Sequence, residues 1–306
     1  MIMNWLPYAL TAALSFAAVN HIDKYLLSKY FKGRTTGALL LFSACIGIPV
    51  SVLIAILSPQ VFDLSLGSKI ILVFNGAFYL LGLLPYFYAL DKDETSIVAP
   101  LFQMVSVFSA LLGVIFLGER LYLMQWLGCV LIFLGGVALS METSQYTKIR
   151  IKYDVLRLMV FASFIMAFNG FIFKLVAVQT KFWTAMFWEY TGYILFASLV
   201  YIFIQPFREE FLTVLRQNNL KILGVNGVNE VLAIVGKSLQ HFATMLTPLA
   251  IAFVVHEGAQ PFFVLLIGIF LTVFFPKISQ EDISKKVIIH KFVAVGVMVF
   301  GVLLLS

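Results

Sequence analysis

The chain has 306 residues, of which 61% are hydrophobic and only 12% are charged. About a quarter of the residues of a water-soluble domain are charged, and a soluble fold of this length could not bury so much apolar surface, so the composition excludes the soluble classes. The net charge of +6 invites a nucleic-acid interpretation, but the basic residues fall in short loops between apolar segments, where they predict membrane topology and no nucleic-acid partner.

Apolar segments of membrane length follow one another along the whole chain. Crossing the roughly 30 Å hydrocarbon layer takes about 20 residues, and ten segments meet this length, separated by turn residues or charge. The ninth is long enough to tilt or to be interrupted at Pro261. The predicted spans are residues 5–27, 37–57, 70–90, 96–117, 123–140, 155–178, 182–204, 222–242, 247–275 and 288–305.

The same succession of elements occurs twice, about 155 residues apart. Residues 99–103 lead through an apolar helix to a charged turn at 116–120, and residues 258–263 lead in the same way to 274–277; a glycine-bearing helix ends each unit. An internal repeat decides the architecture, and a duplicated membrane unit is typical of transporters. The sequence therefore predicts an all-α polytopic membrane protein with two five-helix repeats, 1–141 and 142–306.

Loop charges predict that these repeats are inverted. Five spans are an odd number, so the second copy enters the membrane from the opposite side, and equivalent loops do exchange their positive charge between the halves. Loops after odd-numbered spans hold fourteen Lys and Arg residues, against three after even-numbered spans. The positive-inside rule then places the odd loops in the cytosol and both termini outside.

Three short motifs carry a family resemblance. Residues 116–119 (Phe-Leu-Gly-Glu), 126–128 (Trp-Leu-Gly) and 135–137 (Gly-Gly-Val) resemble the repeat unit of the EamA-type drug/metabolite transporters. The second copy departs from the pattern at its turn, where Phe-Pro-Lys stands at 275–277. The resemblance implies ten helices, a central cavity, alternating access and a location in the cell membrane. Characterised relatives mostly keep their termini in the cytosol, opposite to the orientation that the loop charges predict.

No enzyme, cofactor or metal motif is present. Gly236-Lys237-Ser238 looks like the end of a phosphate-binding loop, but Val231 stands where the first glycine of that motif belongs. The two cysteines, Cys45 and Cys129, lie alone in different apolar segments and predict neither a disulfide nor a metal site. The sequence therefore predicts a protein that is not an enzyme and binds no cofactor, with small molecules and membrane lipids as its partners.

Ionisable residues at membrane depth are the informative candidates, because they are costly there and usually face a bundle interior or an aqueous cavity. Asn226, Glu230 and Lys237 form one stripe on span eight. His256 and Gln260 share a face of span nine, with Glu257 about 100° away. The candidate substrate-binding or translocation residues are Glu230, Glu257, His256, Gln260, Glu189, Lys237, Asn226, Asn75, Gln103 and Tyr79.

Two interpretations of this set stay open. The residues form a polar pocket in which a carboxylate, best Glu230 or Glu257, couples proton movement to transport, or they form Glu–Lys pairs that only hold the helices together. Asp23, Lys24 and Lys174 are weaker candidates, because they lie near span ends where a long side chain reaches the interface. The corresponding functions are a secondary transporter of small organic metabolites or drugs and a non-transporting receptor or partner subunit.

Overall fold

The protein is an all-helical bundle. The computed structural model describes residues 4–31, 36–92, 98, 101–140, 153–275 and 285–304, and no strand occurs among them. A short 3₁₀ helix, Pro59–Asp63, joins two of the longer helices. The α-helices are α1 (Leu6–Tyr30), α2 (Ala38–Cys45), α3 (Gly47–Leu57), α4 (Leu66–Lys92), α5 (Gln103–Phe116), α6 (Leu123–Ser140), α7 (Tyr153–Ala177), α8 (Phe182–Phe203), α9 (Gln205–Leu246), α10 (Leu249–Phe274) and α11 (Lys285–Leu303).

Helix length and composition agree with a membrane protein. Six segments of the described chain are long and apolar enough to cross a bilayer, and α5 and α6 contribute shorter apolar helices. The count of ten spans stays a prediction. The six segments are Ala38–Leu57, Leu66–Lys92, Tyr153–Ala177, Phe182–Phe203, Lys221–Leu246 and Leu249–Phe274.

Prolines inside the predicted spans have different effects on the helices, as Pro49 and Pro261 show. The second predicted span is divided at Ile46 between α2 and α3. Pro49 has no N–H to donate to the carbonyl of Cys45, and its ring crowds that carbonyl, so the helix is interrupted one turn before the proline. In contrast, α10 runs continuously past Pro261, and the interruption that the sequence allowed at this position does not occur.

The largest departure from the predicted boundaries is α9. The sequence predicts a loop at 205–221 and a span at 222–242, but one helix of 42 residues covers both. Pro206 starts this helix, where its missing N–H costs no hydrogen bond. A helix of this length extends about 63 Å, roughly twice the hydrocarbon thickness. Its outer part is anchored to the bundle by Phe211, whose ring lies 4.5 Å from that of Phe42.

Helices from the first half of the chain pack mainly against helices from the second half. α1 lies along α9 and α10, α4 lies along α7 and α8, α5 contacts α7 and α10, and α6 pairs with α11. The centre of the bundle is therefore bounded by elements distant in sequence. Several of the basic loops on which the predicted orientation depends, including 141–152 and 276–284, lie outside the described residues, and that orientation stays a prediction.

Glycines of α6 and α11 allow these two helices to pack closely. A Cβ at Gly135 of α6 would lie 2.5 Å from Met298 Cγ on α11. A Cβ at Gly301 of α11 would lie 2.9 Å from the carbonyl oxygen of Gly128. Real Cβ atoms do not approach neighbours this closely, so the two backbones meet because both helices carry glycine at the contact.

Candidate functional site

A cavity lies at the centre of the bundle between α1, α2, α4, α7, α8, α9 and α10. The space open to the centres of water molecules in this cavity is about 90 Å³. On the same measure, a single water molecule needs ~10–15 Å³. The space therefore holds a small molecule or several waters. The polar or ionisable side chains that line it are Asn20, Asp23, Ser43, Asn169, Asn229, Glu230, Lys237, Gln240, His256, Glu257 and Gln260, together with Tyr79, Tyr86, Tyr190 and Tyr193.

One end of the cavity is built around Asp23 of α1. Asn229 of α9 donates its amide to Asp23 Oδ1 at 2.7 Å, and the Tyr86 hydroxyl of α4 lies 3.1 Å from Asp23 Oδ2. The same hydroxyl lies 3.1 Å from Asn20 Oδ1. Both donors to the carboxylate are neutral, and no cationic group lies within ion-pair distance of Asp23 among the described residues.

Glu230 of α9 lies at the same end. Its side chain is buried, and Ser43 of α2 is its hydrogen-bonding neighbour. Asp23 is close enough to act on it electrostatically across the α1–α9 contact. Two carboxyl groups therefore face the same part of the cavity, and neither forms an ion pair in the part of the chain described here. Asp23, Asn229 and Glu230 together form the acidic end of the cavity.

Glu189 of α8 is the centre of a second cluster, on the wall of the cavity. Its Oε1 accepts from Asn169 at 2.7 Å and from Asn75 at 3.0 Å, and it lies 3.2 Å from the Lys237 ammonium. His241 Nε2 lies 3.4 Å from the other carboxylate oxygen. Asn75 and Asn169 also donate to each other's backbone carbonyl at 3.2 Å. This cluster joins α4, α7, α8 and α9.

Lys237 connects that cluster to the cavity. Its Nζ donates to the Tyr193 hydroxyl and lies 3.2 Å from the centroid of the Tyr79 ring. The rings of Tyr79 and Tyr193 are stacked, with centroids 5.2 Å apart. An ammonium over an aromatic face is stabilised by the ring quadrupole, so the aromatic wall of the cavity already binds one ammonium group.

Glycine contacts fix the position of Glu189. A Cβ on Gly76 of α4 would lie 1.9 Å from the carbonyl oxygen of Glu189, and a Cβ on Gly192 of α8 would lie 2.1 Å from the carbonyl oxygen of Val73. The two helices therefore touch backbone to backbone at Glu189 and again at Gly192, one turn later. This contact brings Asn75 within hydrogen-bonding distance of the carboxylate.

A first prediction tests this contact. We expect Gly76→Ala to lower the free energy of unfolding by about 1–3 kcal/mol, because the backbone of α8 must move away from the new methyl group. Gly227→Ala is the matched control, since nothing lies within 4 Å of a Cβ at that position of α9. The measurement is denaturant unfolding in detergent micelles. Equal stabilities of the two variants would show that α4 and α8 do not depend on this approach.

His256 and Glu257 of α10 form the remaining polar group in the cavity. His256 Nδ1 lies 3.1 Å from both Gln240 Nε2 and Glu257 Oε1, so the ring accepts from the amide in one tautomer and donates to the carboxylate in the other. Its Nε2 atom has no hydrogen-bond partner among the residues that the structure describes. Gln103 of α5 donates to the backbone carbonyl of Glu257 and holds α5 against α10.

The bundle is closed at one end by the charged turn that follows α5. Gly118 has φ 65°, a left-handed conformation that glycine adopts without strain. The turn directs Glu119 back beneath α5, where both carboxylate oxygens lie 2.8 Å from the N–H of Leu249 at the start of α10. Lys174 of α7 lies 2.6 Å from Glu119 and donates to the carbonyl of Thr247 at 2.8 Å. Lys174 is therefore an ion-pair partner of Glu119.

The structure brings together six of the ten candidates from the sequence around the cavity: Glu230, Glu257, His256, Gln260, Lys237 and Tyr79. Glu189 and Asn75 stand behind the wall, Gln103 joins two helices, and Asn226 donates to the carbonyl of Phe42. Sequence reasoning ranked Asp23 too low and passed over polar residues whose signal was their apolar surroundings: Asn20, Ser43, Asn169, Asn229 and Gln240.

Comparisons with known proteins agree with the helical architecture. The EamA-like transporter family model matches residues 3–141. An uncharacterized transporter in the cobO 3′ region of Sinorhizobium sp is 46% identical over 57 residues, which are 19% of this chain and 40% of that protein. An uncharacterized protein of Methanocaldococcus jannaschii is 36% identical over 70 residues, which are 23% of this chain and 51% of that protein. The matches thus span about half, or less, of the length of these curated relatives.

One solved crystal structure of a protein has the same fold along nearly the whole chain. It superposes with a TM-score of 0.64 and covers 97% of this chain and 96% of its own. Its sequence identity is 14%, so the likeness shows the fold alone. The family match over residues 3–141, the transporter among the relatives and the helices of membrane length support an EamA-type member of the drug/metabolite transporter superfamily, a multi-pass protein of the cell membrane.

Proposed function

We propose that the protein is a secondary transporter that moves small organic molecules across the membrane by alternating access. The observation that carries this proposal is the central cavity, to which the first half contributes Asp23 and Tyr79 and the second half contributes Glu230 and Glu257. Binding between two repeats is the arrangement of many secondary transporters. A receptor or partner subunit would be closed by Glu–Lys pairs through its centre, whereas the two Glu–Lys pairs among the described residues lie at the wall of the cavity and at one end of the bundle.

Helix packing supports the proposed division into inverted repeats at 1–141 and 142–306. In that division α1 is equivalent to α7, α4 to α9 and α5 to α10. The α1–α9 contact then corresponds to the α7–α4 contact, and α1–α10 corresponds to α7–α5; all four are extensive. Lys24 donates to the carbonyl of Leu90 near the end of α4, and its counterpart Lys174 donates to Thr247 after α9.

Glu230 and Glu257 are the proposed proton carriers. Each carboxyl group is buried in the bundle but lines the cavity, where a proton or a substrate would meet it. A proton on the carboxyl group then accompanies one half of the transport cycle and the substrate accompanies the other. The cycle is driven by a proton gradient or by exchange of one substrate for another.

The second prediction tests this role in proteoliposomes. We expect Glu230→Gln and Glu257→Gln to abolish pH-gradient-driven efflux while some substrate binding remains, because a neutral amide cannot release a proton. Vesicles are loaded with a small-molecule cell extract, and efflux is followed by mass spectrometry. Glu209→Gln, an exposed change on α9, is the control with wild-type rates.

Two outcomes would contradict the proposal at different levels. Wild-type rates in both Gln variants under a proton gradient would assign the two acids a purely structural role. Vesicles containing the wild-type protein that release nothing faster than protein-free vesicles would reject transport itself and favour the receptor or partner subunit.

A further inference from the structure

The charges that face the cavity are unequal. Asp23, Glu230 and Glu257 are carboxyl groups, and Lys237 is the only Lys or Arg among the described residues of the lining. The ammonium of Lys237 lies 3.2 Å from Glu189, which stands behind the wall. Glu189 therefore neutralises the positive charge of Lys237 from behind the cavity wall. Among the described residues, no cationic group lies within ion-pair distance of the carboxylates of the acidic end.

Unused hydrogen-bonding capacity is concentrated at the same place. Asn229 spends its amide N–H on Asp23, and its Oδ1 has no partner although the side chain is almost fully buried. Each oxygen of Asp23 accepts one hydrogen bond, and a carboxylate oxygen has room for a second. A buried acceptor without a partner is costly, so the acidic end is complete only when a donor enters the cavity.

Aromatic rings surround this set of acceptors. The cavity is lined by four tyrosines and four phenylalanines. Tyr79 already carries the Lys237 ammonium on its face, which shows that this wall accommodates a positive charge. Phenylalanine walls bind an apolar body by excluding water from it. The lining rings are Phe16, Tyr79, Tyr86, Phe87, Phe102, Tyr190, Tyr193 and Phe253.

We propose that the acidic end binds the ammonium group of an organic amine, whose apolar body lies against the aromatic wall. A primary ammonium has three N–H donors, and Asp23, Glu230 and Asn229 Oδ1 offer acceptors to them. The unpartnered Nδ2 of Asn20 is a donor for an oxygen atom of the substrate or of a water beside it. This inference rests on the proposed function, for which it names the substrate class.

A zwitterion is the alternative, with its carboxylate on Lys237. The observations favour a simple cation, because Lys237 is already bound to Glu189, the Tyr193 hydroxyl and the Tyr79 ring. A substrate carboxylate would compete with that ion pair. It would also lie in a cavity whose other ionisable groups are Asp23, Glu230, Glu257 and His256.

Four probes of nearly equal shape separate these possibilities: phenethylamine, phenylalanine, 3-phenylpropionate and 2-phenylethanol. Their binding to the full-length protein in nanodiscs at neutral pH is measured by isothermal titration. We expect phenethylamine to bind about tenfold or more tightly than each of the others, since a hydrogen bond to a charged group is worth that much. If phenylalanine, phenylpropionate or phenylethanol binds more tightly than phenethylamine, the proposal that the acidic end binds an amine is overturned. The same holds if phenethylamine does not bind. Both results come from the wild-type protein alone.

Variants locate the ammonium. Asp23→Asn and Glu230→Gln should each weaken phenethylamine binding about tenfold or more, and Glu209→Gln should leave it unchanged. Unaltered binding in both cavity variants would overturn the proposal. Thermal unfolding shows whether each variant is folded, and the probe series on the wild-type protein decides the charge class if one is not. Vesicles that transport an anion or a zwitterion would reject the amine and leave the proposed transport function standing.

Discussion

Lys237→Met is expected to lower the stability of the protein by about 3–5 kcal/mol. The change keeps an unbranched side chain only one atom shorter, but it leaves Glu189 in the bundle interior without the ammonium partner that lies 3.2 Å away. Removing one member of a buried ion pair costs about 3–5 kcal/mol, because the remaining charge is neither solvated nor paired. The free energy of unfolding in detergent micelles is the measurement.

The double variant separates this cost from the loss of packing. Lys237→Met with Glu189→Gln removes both charges, and we expect it to recover most of the stability that Lys237→Met loses. The amide keeps an oxygen that accepts from Asn75 and Asn169. A double variant no more stable than Lys237→Met would contradict the assignment and would point to the Tyr79 and Tyr193 contacts of Lys237 as the source of its contribution.

Glu119→Gln is expected to have the second largest effect, about 3 kcal/mol, because it breaks a mostly buried ion pair and weakens the cap of α10 together. Gly113→Ala should cause a similar loss of stability, because a Cβ at this position would lie 2.4 Å from Glu119 Oε2 and displace the carboxylate. Arg120→Gln is the control, as Arg120 is exposed on the same turn. The measurement is again unfolding in micelles.

Two results would disagree with this account of the turn. If Arg120→Gln destabilises as much as Glu119→Gln, the general charge of the turn matters and the specific contacts of Glu119 do not. If Lys174→Met leaves the stability unchanged while Glu119→Gln lowers it, the cap on Leu249 supplies the whole effect and the ion pair adds nothing.

The family motif at 116–119 thereby acquires a physical explanation. The Gly-Glu pair is part of the resemblance to the EamA repeat unit, but a resemblance in sequence cannot show what the pair contacts. In the structure Gly118 turns the chain and Glu119 binds Leu249, 130 residues later. The contact joins the first half of the chain to the second, so the motif stabilises the association of the two halves and does not touch the cavity.

Periodicity and composition predict the helices well because each span is decided locally, by its length and hydrophobicity. Local sequence signals fail where tertiary contacts with another helix determine the secondary structure. The outer part of α9 reads as a loop from its charges, yet it continues as helix because Phe207 and Phe211 pack on the bundle. The division of α2 from α3 was missed although Pro49 carries its signal.

Site residues follow the same rule. Glu230, Lys237 and His256 were predicted because an ionisable group at membrane depth needs a polar surrounding, and that requirement is visible in one helix. Asp23 was ranked low because the predicted span ends at residue 27. Helix α1 extends to Tyr30, so Asp23 lies nearly two turns inside it. The Glu189–Lys237 pairing depends on which helices are lateral neighbours, which no single span records.

The backbone contact between α4 and α8 also limits how the molecule can move. At Gly76 and Gly192 there is no side chain to yield between the helices, and the polar cluster around Glu189 extends this rigid unit to α7. If the shape of the cavity changes, α1 and α10 must therefore slide against the rigid unit formed by α4, α7 and α8. Side chains separate the helices at those interfaces. Spectroscopic distance labels on α4 and α8 would serve as a fixed frame, against which labels on α1 and α10 report displacement.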